Sequence, residues 1–187
     1  MSAHAAYELE RKFLPDPESP DLQNAIDRCT PDERIAVRQG YVLRAGDEGE
    51  VRLRETIRAG QERRIMTVKR GAMPERREAE IEITAEQWDI LHPLVIGTEI
   101  RKERFLVTID SADTGGTERS PAPADPVIAE IDRFIAPCPG LVLIEVEFPS
   151  PDACAAFVPP EWFGRDVTED RRYRNQEISR KGADEIR

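Results

Sequence analysis

Six segments of this chain carry charged side chains at every second residue, and this alternation constrains the fold more than any other feature. Glu8, Glu10 and Lys12 fall opposite Leu9, Arg11 and Phe13. Arg52 and Arg54 flank Leu53, while Glu78, Glu80 and Glu82 alternate with Ala79, Ile81 and Ile83. Lys102 and Arg104 share a parity, Glu130 and Asp132 flank Ile131, and Glu145 and Glu147 flank Val146. Side chains of a strand point alternately to opposite faces, so each segment, once extended, has a charged face and a largely apolar one. A chain built from such segments must be mainly antiparallel sheet, with one face on a core and the other lined with charge.

Turn signals divide the segments into strands. The candidates are Tyr7–Leu14, Arg34–Arg44, Glu50–Arg58, Arg63–Arg70, Arg77–Thr84, Ile100–Asp110, Val127–Ile135 and Gly140–Phe148, with turns at Gly46–Gly49 and Gly60–Gln61. Three short helices fit between and after them: Asp21–Arg28, Thr84–Leu94 and Asp152–Phe157. Thr84 with Gln87 three residues on forms a capping pair for the second. The later half of the charged tail Asp166–Lys181 is also predicted helical. Ser111–Pro126, rich in Gly, Ser, Pro and Ala, reads as a mobile loop. At 187 residues with no internal repeat, the chain is expected to form one domain over residues 1–187.

Composition narrows the partners. The net charge of −10 argues against general nucleic-acid binding, because phosphate backbones are held by surplus Lys and Arg. Two histidines and three cysteines with no CxxC spacing argue against zinc and for reduced thiols in a cytoplasmic setting. No apolar leader follows Met1, and the run Leu141–Ile144 is far too short to span a membrane.

The ordinary explanation of the alternation is a sheet with one wet face. Two features point further. Acidic and basic strands both occur, and Glu-x-Glu pairs stand near both ends of the chain, at Glu8/Glu10 and Glu145/Glu147. Neighbouring strands would gather these carboxylates into one patch of hard oxygen ligands suited to Mg²⁺ or Mn²⁺. If all the charged faces enclose one space, its nine acids (Glu8, Glu10, Glu78, Glu80, Glu82, Glu130, Asp132, Glu145, Glu147) outnumber its six bases (Lys12, Arg52, Arg54, Lys69, Lys102, Arg104). That excess repels a polyphosphate, and two divalent cations reverse its sign. The expected lumen is a metal-dependent anion trap.

The ExExK run Glu8–Lys12 resembles the signature of the CYTH superfamily, the triphosphate tunnel metalloenzymes. So, in the family's order, do QGYV (Gln39–Val42), VRLR (Val51–Arg54), TVKRG (Thr67–Gly71), RREAEIEI (Arg76–Ile83), IRKERF (Ile100–Phe105), EIDRF (Glu130–Phe134), IEVEF (Ile144–Phe148) and DVTEDRRYRN (Asp166–Asn175). The chain departs from the family's pattern at Ala129, where an aromatic usually precedes EID, and in its long loops Pro15–Glu33 and Ser111–Pro126. The resemblance implies an α+β, mainly antiparallel fold: an eight-stranded closed tunnel barrel with a charged lumen and peripheral helices, one of them C-terminal. It makes Glu8, Glu10, Glu145 and Glu147 metal ligands. Lys12, Arg52, Arg54, Lys69, Lys102 and Arg104 become phosphate binders.

The small single-domain relatives it most resembles are inorganic triphosphatases, so metal-dependent hydrolysis of tripolyphosphate to pyrophosphate and phosphate is the expected activity. Class IV adenylyl cyclase-like activity, thiamine triphosphate hydrolysis and non-catalytic binding of phosphorylated metabolites are the alternatives. Lys12 and Tyr41 are the candidate catalytic groups, Tyr41 as a base if a cation lies beside it. No membrane partner is expected, and a homodimer is compatible with the residues.

Overall fold

A computed structural model describes residues 9–44, 49–70, 77–109 and 127–182. Glu8, most of the Gly46–Gly49 turn and the Ser111–Pro126 loop lie outside the described residues. The strands are β1 (Glu10–Leu14), β2 (Arg34–Arg44), β3 (Glu50–Arg58), β4 (Gln61–Arg70), β5 (Arg77–Glu82), β6 (Ile96–Ile109), β7 (Val127–Ala136), β8 (Val142–Glu147) and β9 (Arg165–Asp166). The helices are α1 (Pro20–Asp27), α2 (Ala85–Leu91), α3 (Pro151–Ala156) and α4 (Asn175–Lys181).

Local chemistry explains several boundaries. β3 passes to β4 through Ala59 and Gly60, both at positive φ (48° and 77°), so pairing resumes at once with Arg58 opposite Gln61. This is why β4 starts two residues before the expected Arg63. α2 is capped as the sequence predicts: the Gln87 backbone N–H donates to Thr84 Oγ1 (3.2 Å) and the Thr84 N–H to Gln87 Oε1 (2.8 Å). Pro93 lies in a 3₁₀ turn, His92–Leu94, that ends the segment. There His92 stacks on Trp88 and bonds Glu99 of β6 at 2.5 Å, a structural use of the histidine.

Hydrogen bonding orders the strands β5-β4-β3-β2-β6-β7-β8-β1-β9, all neighbours antiparallel. The expected closed eight-stranded barrel is therefore corrected: among the described residues the chain forms one open nine-stranded sheet. Closure would need β5 to bond the free side of β1, and that side is taken. β9 pairs there through Phe13 opposite Asp166 and Leu14 opposite Arg165. The Lys12 N–H donates to Thr168 Oγ1 (3.0 Å) and its carbonyl accepts from the Val167 N–H (2.8 Å). With β1 satisfied by the C-terminal segment, β5 remains an edge, and its three glutamates disfavour pairing with another strand.

The sheet nevertheless curls. Lys12, Gln39, Thr67, Lys69 and Lys102, spread over four strands of its charged face, are all buried, which a flat face open to water would not allow. Register shifts on β2 near Tyr41 and on β6 near Lys102 add local twist. The result is an open trough. Its convex back carries the main apolar core, where Phe13, Phe105, Ile131, Ile144 and Val146 pack under Leu22 and Ile26 of α1 and under Phe163. A second cluster, Leu53 and Ile83 with Trp88, seats α2 behind β3 and β4. A third closes one end of the trough: Ile100, Phe134 and Leu143 meet Val167, Tyr173 and Ile178 of the C-terminal segment.

Candidate active site

The strand registers put the described charges that recur at every second residue, Glu10, Lys12, Arg52, Arg54, Glu78, Glu80, Glu82, Lys102, Arg104, Glu130, Asp132, Glu145 and Glu147, on one face of the sheet. Glu10 stands opposite Glu147 and Lys12 opposite Glu145, Glu145 is opposite Glu130, and Asp132 is opposite Arg104. From β6 the same face continues through Val37 and Gln39 on β2 to Arg54, with Tyr41 opposite Arg52, then Thr67 and Lys69, and finally Glu80 and Glu78. Nine of the ten described sequence-predicted site residues are charged, and all ten, Tyr41 included, share this face.

The face has two unlike halves. Over β6, β7, β8 and β1, cations and carboxylates neutralise one another. Asp132, fully buried, accepts from Arg104 Nε and Nη2 at 2.7 Å each and is ion-paired with Lys102, whose side chain is itself enclosed. Arg104 also bonds Glu145 (2.9 Å) and pairs with Glu130. Lys12 Nζ lies 2.8 Å from Glu145 and 3.6 Å from Glu10. The C-terminal segment reaches into this half: the Tyr173 carbonyl accepts from Lys12 and Asn175 Oδ1 from Lys102, both at 3.5 Å.

These contacts set the protonation states. Burial would raise the Glu145 carboxyl, but Lys12, Lys102 and Arg104 hold it well below the usual range. Burial lowers Lys12, and Glu145 and Glu10 more than compensate, so its ammonium is firmly charged. Lys102 is pushed down by burial despite Asp132. Glu130 is raised, by burial first and then by Asp132 and Glu145, against the pull of Arg104.

The half over β2, β3 and β4 is poorer in counter-charge. Arg52 donates to Thr67 Oγ1 (3.2 Å), which donates to Glu80 (3.3 Å), but Arg52 itself stays 3.9 Å from that carboxylate. Lys69 pairs with Glu78 at 3.0 Å. Arg54 has no hydrogen-bond or ion-pair partner among the described residues, and its Nε is shut off from solvent. Burial, then the neighbouring Arg52 and Arg104, lowers its pKa to about 10, which still leaves it cationic at neutral pH. Burial pushes the Tyr41 phenol up to about 12, and the cations around it are Arg52, Arg54 and Arg44. Arg44 lies over the Tyr41 ring at 4.9 Å.

Sequence reasoning counted Asp132 among the charges without giving it a role, yet it anchors both β6 cations. It passed over Thr67 and Gln39, each fully buried on the charged face. Their parity with Lys69 and Tyr41 was the available signal.

No group of three or more Asp, Glu, His or Cys side chains is gathered closely enough to hold an ion among the described residues. The donor set nonetheless suits a hard divalent cation. Glu10 and Glu147 face each other across β1 and β8, both exposed to the trough, and Mg²⁺ is commonly held by one or two carboxylates completed by water and substrate phosphate. Glu145 is already engaged by Lys12 and Arg104.

No helix among the described residues is long and apolar enough to cross a membrane. No protein-family model matches the chain. An inorganic triphosphatase of Nitrosomonas europaea is 35% identical over 176 residues, covering 92% of this chain and 96% of that protein. The crystal structure of an inorganic triphosphatase superposes with a TM-score of 0.59 at 33% identity, covering 94% and 96% of the two chains. A protein from Pyrococcus horikoshii shares the fold alone, at a TM-score of 0.52 and 17% identity over 80% and 82%. The chain belongs to the inorganic triphosphatases of the CYTH superfamily.

Proposed function

We propose that this chain hydrolyses inorganic tripolyphosphate to pyrophosphate and phosphate with the help of Mg²⁺ or Mn²⁺. The observation that carries this reading is the split of one concave face. Carboxylates Glu10 and Glu147 face each other at one side; at the other stand Arg52, whose loose ion pair with Glu80 is 3.9 Å long, and Arg54, which has no ion-pair partner among the described residues. A polyphosphate needs both kinds of group, a divalent cation held by carboxylates and guanidinium donors to its oxygens. The identity of this chain with the Nitrosomonas europaea enzyme over nearly its whole length supports the choice of substrate.

Glu10 and Glu147, with Glu8 a further candidate, would hold the divalent ion, and Glu145 stands behind them as the carboxylate that keeps Lys12 in place. When bound, the ion supplies charge neutralisation of phosphate oxygens and acidification of a coordinated water. Arg52 and Arg54 bind non-bridging oxygens by charge-assisted hydrogen bonds, with Lys69 following on β4. Lys12, kept cationic by Glu145 and Glu10, faces the charge that develops during phosphoryl transfer. Tyr41 holds its proton at neutral pH and serves as a hydrogen-bond donor beside Arg52. Lys102 and Arg104 contribute through Asp132, which fixes the floor of the trough. The free thiols of Cys29, Cys138 and Cys154 suit a reducing, cytoplasmic setting.

The test is product analysis with purified protein, tripolyphosphate and Mg²⁺ or Mn²⁺. Equimolar pyrophosphate and phosphate, lost on chelation and in the Glu147→Gln and Glu10→Gln variants while both remain folded, is the expected result. Absence of turnover with either metal, or full activity in both variants, would overturn the reading.

A further inference from the structure

Gln39 lies in the middle of β2 with no exposed surface, and neither its Oε1 nor its Nε2 has a hydrogen-bond partner among the described residues. A buried amide with both ends unsatisfied is a costly arrangement that native interiors rarely keep. Its surroundings say what it is for. On the charged face Gln39 stands directly opposite Arg54 on β3 and opposite Ile100 on β6. Residues so opposed on adjacent strands have Cβ atoms about 5 Å apart, within reach of two long side chains. Arg54 has no hydrogen-bond or ion-pair partner among the described residues, and its buried Nε–H is an orphan beside the Gln39 amide. The next residue on this face of β2 is Tyr41, opposite Arg52.

Packing behind the strand fixes the amide where it is. Gly40 points to the convex side, where a Cβ would come within 2.6 Å of Val95 Cγ1. The Val95 side chain thus lies almost on the β2 backbone and braces the Gln-Gly-Tyr segment from behind.

We propose that Gln39 is a substrate-binding residue of the triphosphate site. Its Oε1 accepts the Arg54 Nε–H, which turns the two terminal guanidinium nitrogens toward the ligand, and its Nε2 donates to a non-bridging phosphate oxygen. One amide so placed satisfies both of its own ends and the Arg54 Nε–H together. A glutamine suits the position better than a glutamate, which would neutralise Arg54 and repel the anion, or a lysine, which would add a third like charge beside Arg52 and Arg54. This inference rests on the triphosphate reading and extends it to a neutral side chain.

The experiment measures binding of imidotriphosphate, a slowly hydrolysed analogue, by calorimetry in Mg²⁺, together with the melting temperature of the unliganded proteins. Wild type, Gln39→Leu, Gln39→Glu and Arg54→Met are compared. Gln39→Leu should weaken binding about 10-fold while melting at or above the wild-type temperature, since an apolar side chain removes an unsatisfied amide. Gln39→Glu should weaken binding further and raise the melting temperature by pairing with Arg54. If Arg54→Met binds poorly but Gln39→Leu binds like wild type, the role of Gln39 is refuted and the triphosphate site stands. If Gln39→Leu loses stability along with affinity, Gln39 is structural and the inference fails. If wild type does not bind the analogue, the triphosphate reading falls and takes this inference with it.

Discussion

Asp132 offers a sharp test of the charge network at the floor of the trough. Replacing it with Asn preserves shape and removes the one carboxylate that, among the described residues, is ion-paired with both Lys102 and Arg104. Arg104 keeps Glu145 and Glu130, so its loss is partial. Lys102 keeps only the charge of Glu145, with which it forms no ion pair. Its side chain is fully enclosed, and its remaining polar contact is a 3.5 Å hydrogen bond to Asn175. Removing one partner of a buried pair costs about 3–5 kcal/mol, because the other charge is left uncompensated. For a chain of this length that corresponds to a melting temperature lower by about 6–20 °C at pH 7.

The pH dependence distinguishes this cause from simple misfit. Burial already depresses Lys102 in the folded state, so the unfolded chain binds the extra proton and folding gains stability as pH rises toward the ordinary lysine value of 10.5. Without Asp132 the folded-state value drops further, and the window of rising stability widens toward neutrality. The deficit of Asp132→Asn should therefore shrink between pH 7 and pH 9. Thermal unfolding followed by circular dichroism across that range measures it. A melting temperature within about 2 °C of wild type at pH 7, or a deficit that grows with pH, would refute the reasoning.

Two further predictions concern the same face. Glu145 is held below its unfolded value by Lys12, Lys102 and Arg104, so its contribution is complete above the unfolded carboxyl value of 4.5 and is lost as pH falls through the folded one. The stability gap between wild type and Glu145→Gln should accordingly be flat from pH 8 to 5 and narrow only below that, as urea titrations will report. Gly40→Val should cost about 1–3 kcal/mol by displacing Val95, and its Km for tripolyphosphate should rise because Gln39 and Tyr41 ride on the same segment.

What the sequence disclosed and what it hid follow from locality. The parity of a strand is a property of adjacent residues, so Glu10 with Lys12, Arg52 with Arg54, Glu130 with Asp132 and Glu145 with Glu147 could each be placed on one face of their own strand before any pairing was known. The Thr84–Gln87 cap and the β2–β3 hairpin are local in the same sense. Closure is not local. It depends on which edge of β1 is free, and that edge is claimed by Val167 and Thr168, more than 150 residues along the chain. The division of cations into paired and unpaired was equally hidden. Lys102 and Arg54 look alike in sequence, and only the position of Asp132 separates them. Gln39 shares its parity with Tyr41, but an amide in a strand shows no role until burial leaves it without a hydrogen-bond partner among the described residues.

The central claim is that one concave face holds divalent metal at the carboxylates of β1 and β8 and oligophosphate at the guanidinium groups of β3. A crystal structure with imidotriphosphate and Mn²⁺ addresses it directly, since anomalous scattering locates the metal. A Mn²⁺ peak is expected between Glu10 and Glu147, with phosphate oxygens on Arg52 and Arg54. Metal or analogue bound only on the convex back of the sheet, or Glu147 and Arg54 both bare of ligand, would contradict it.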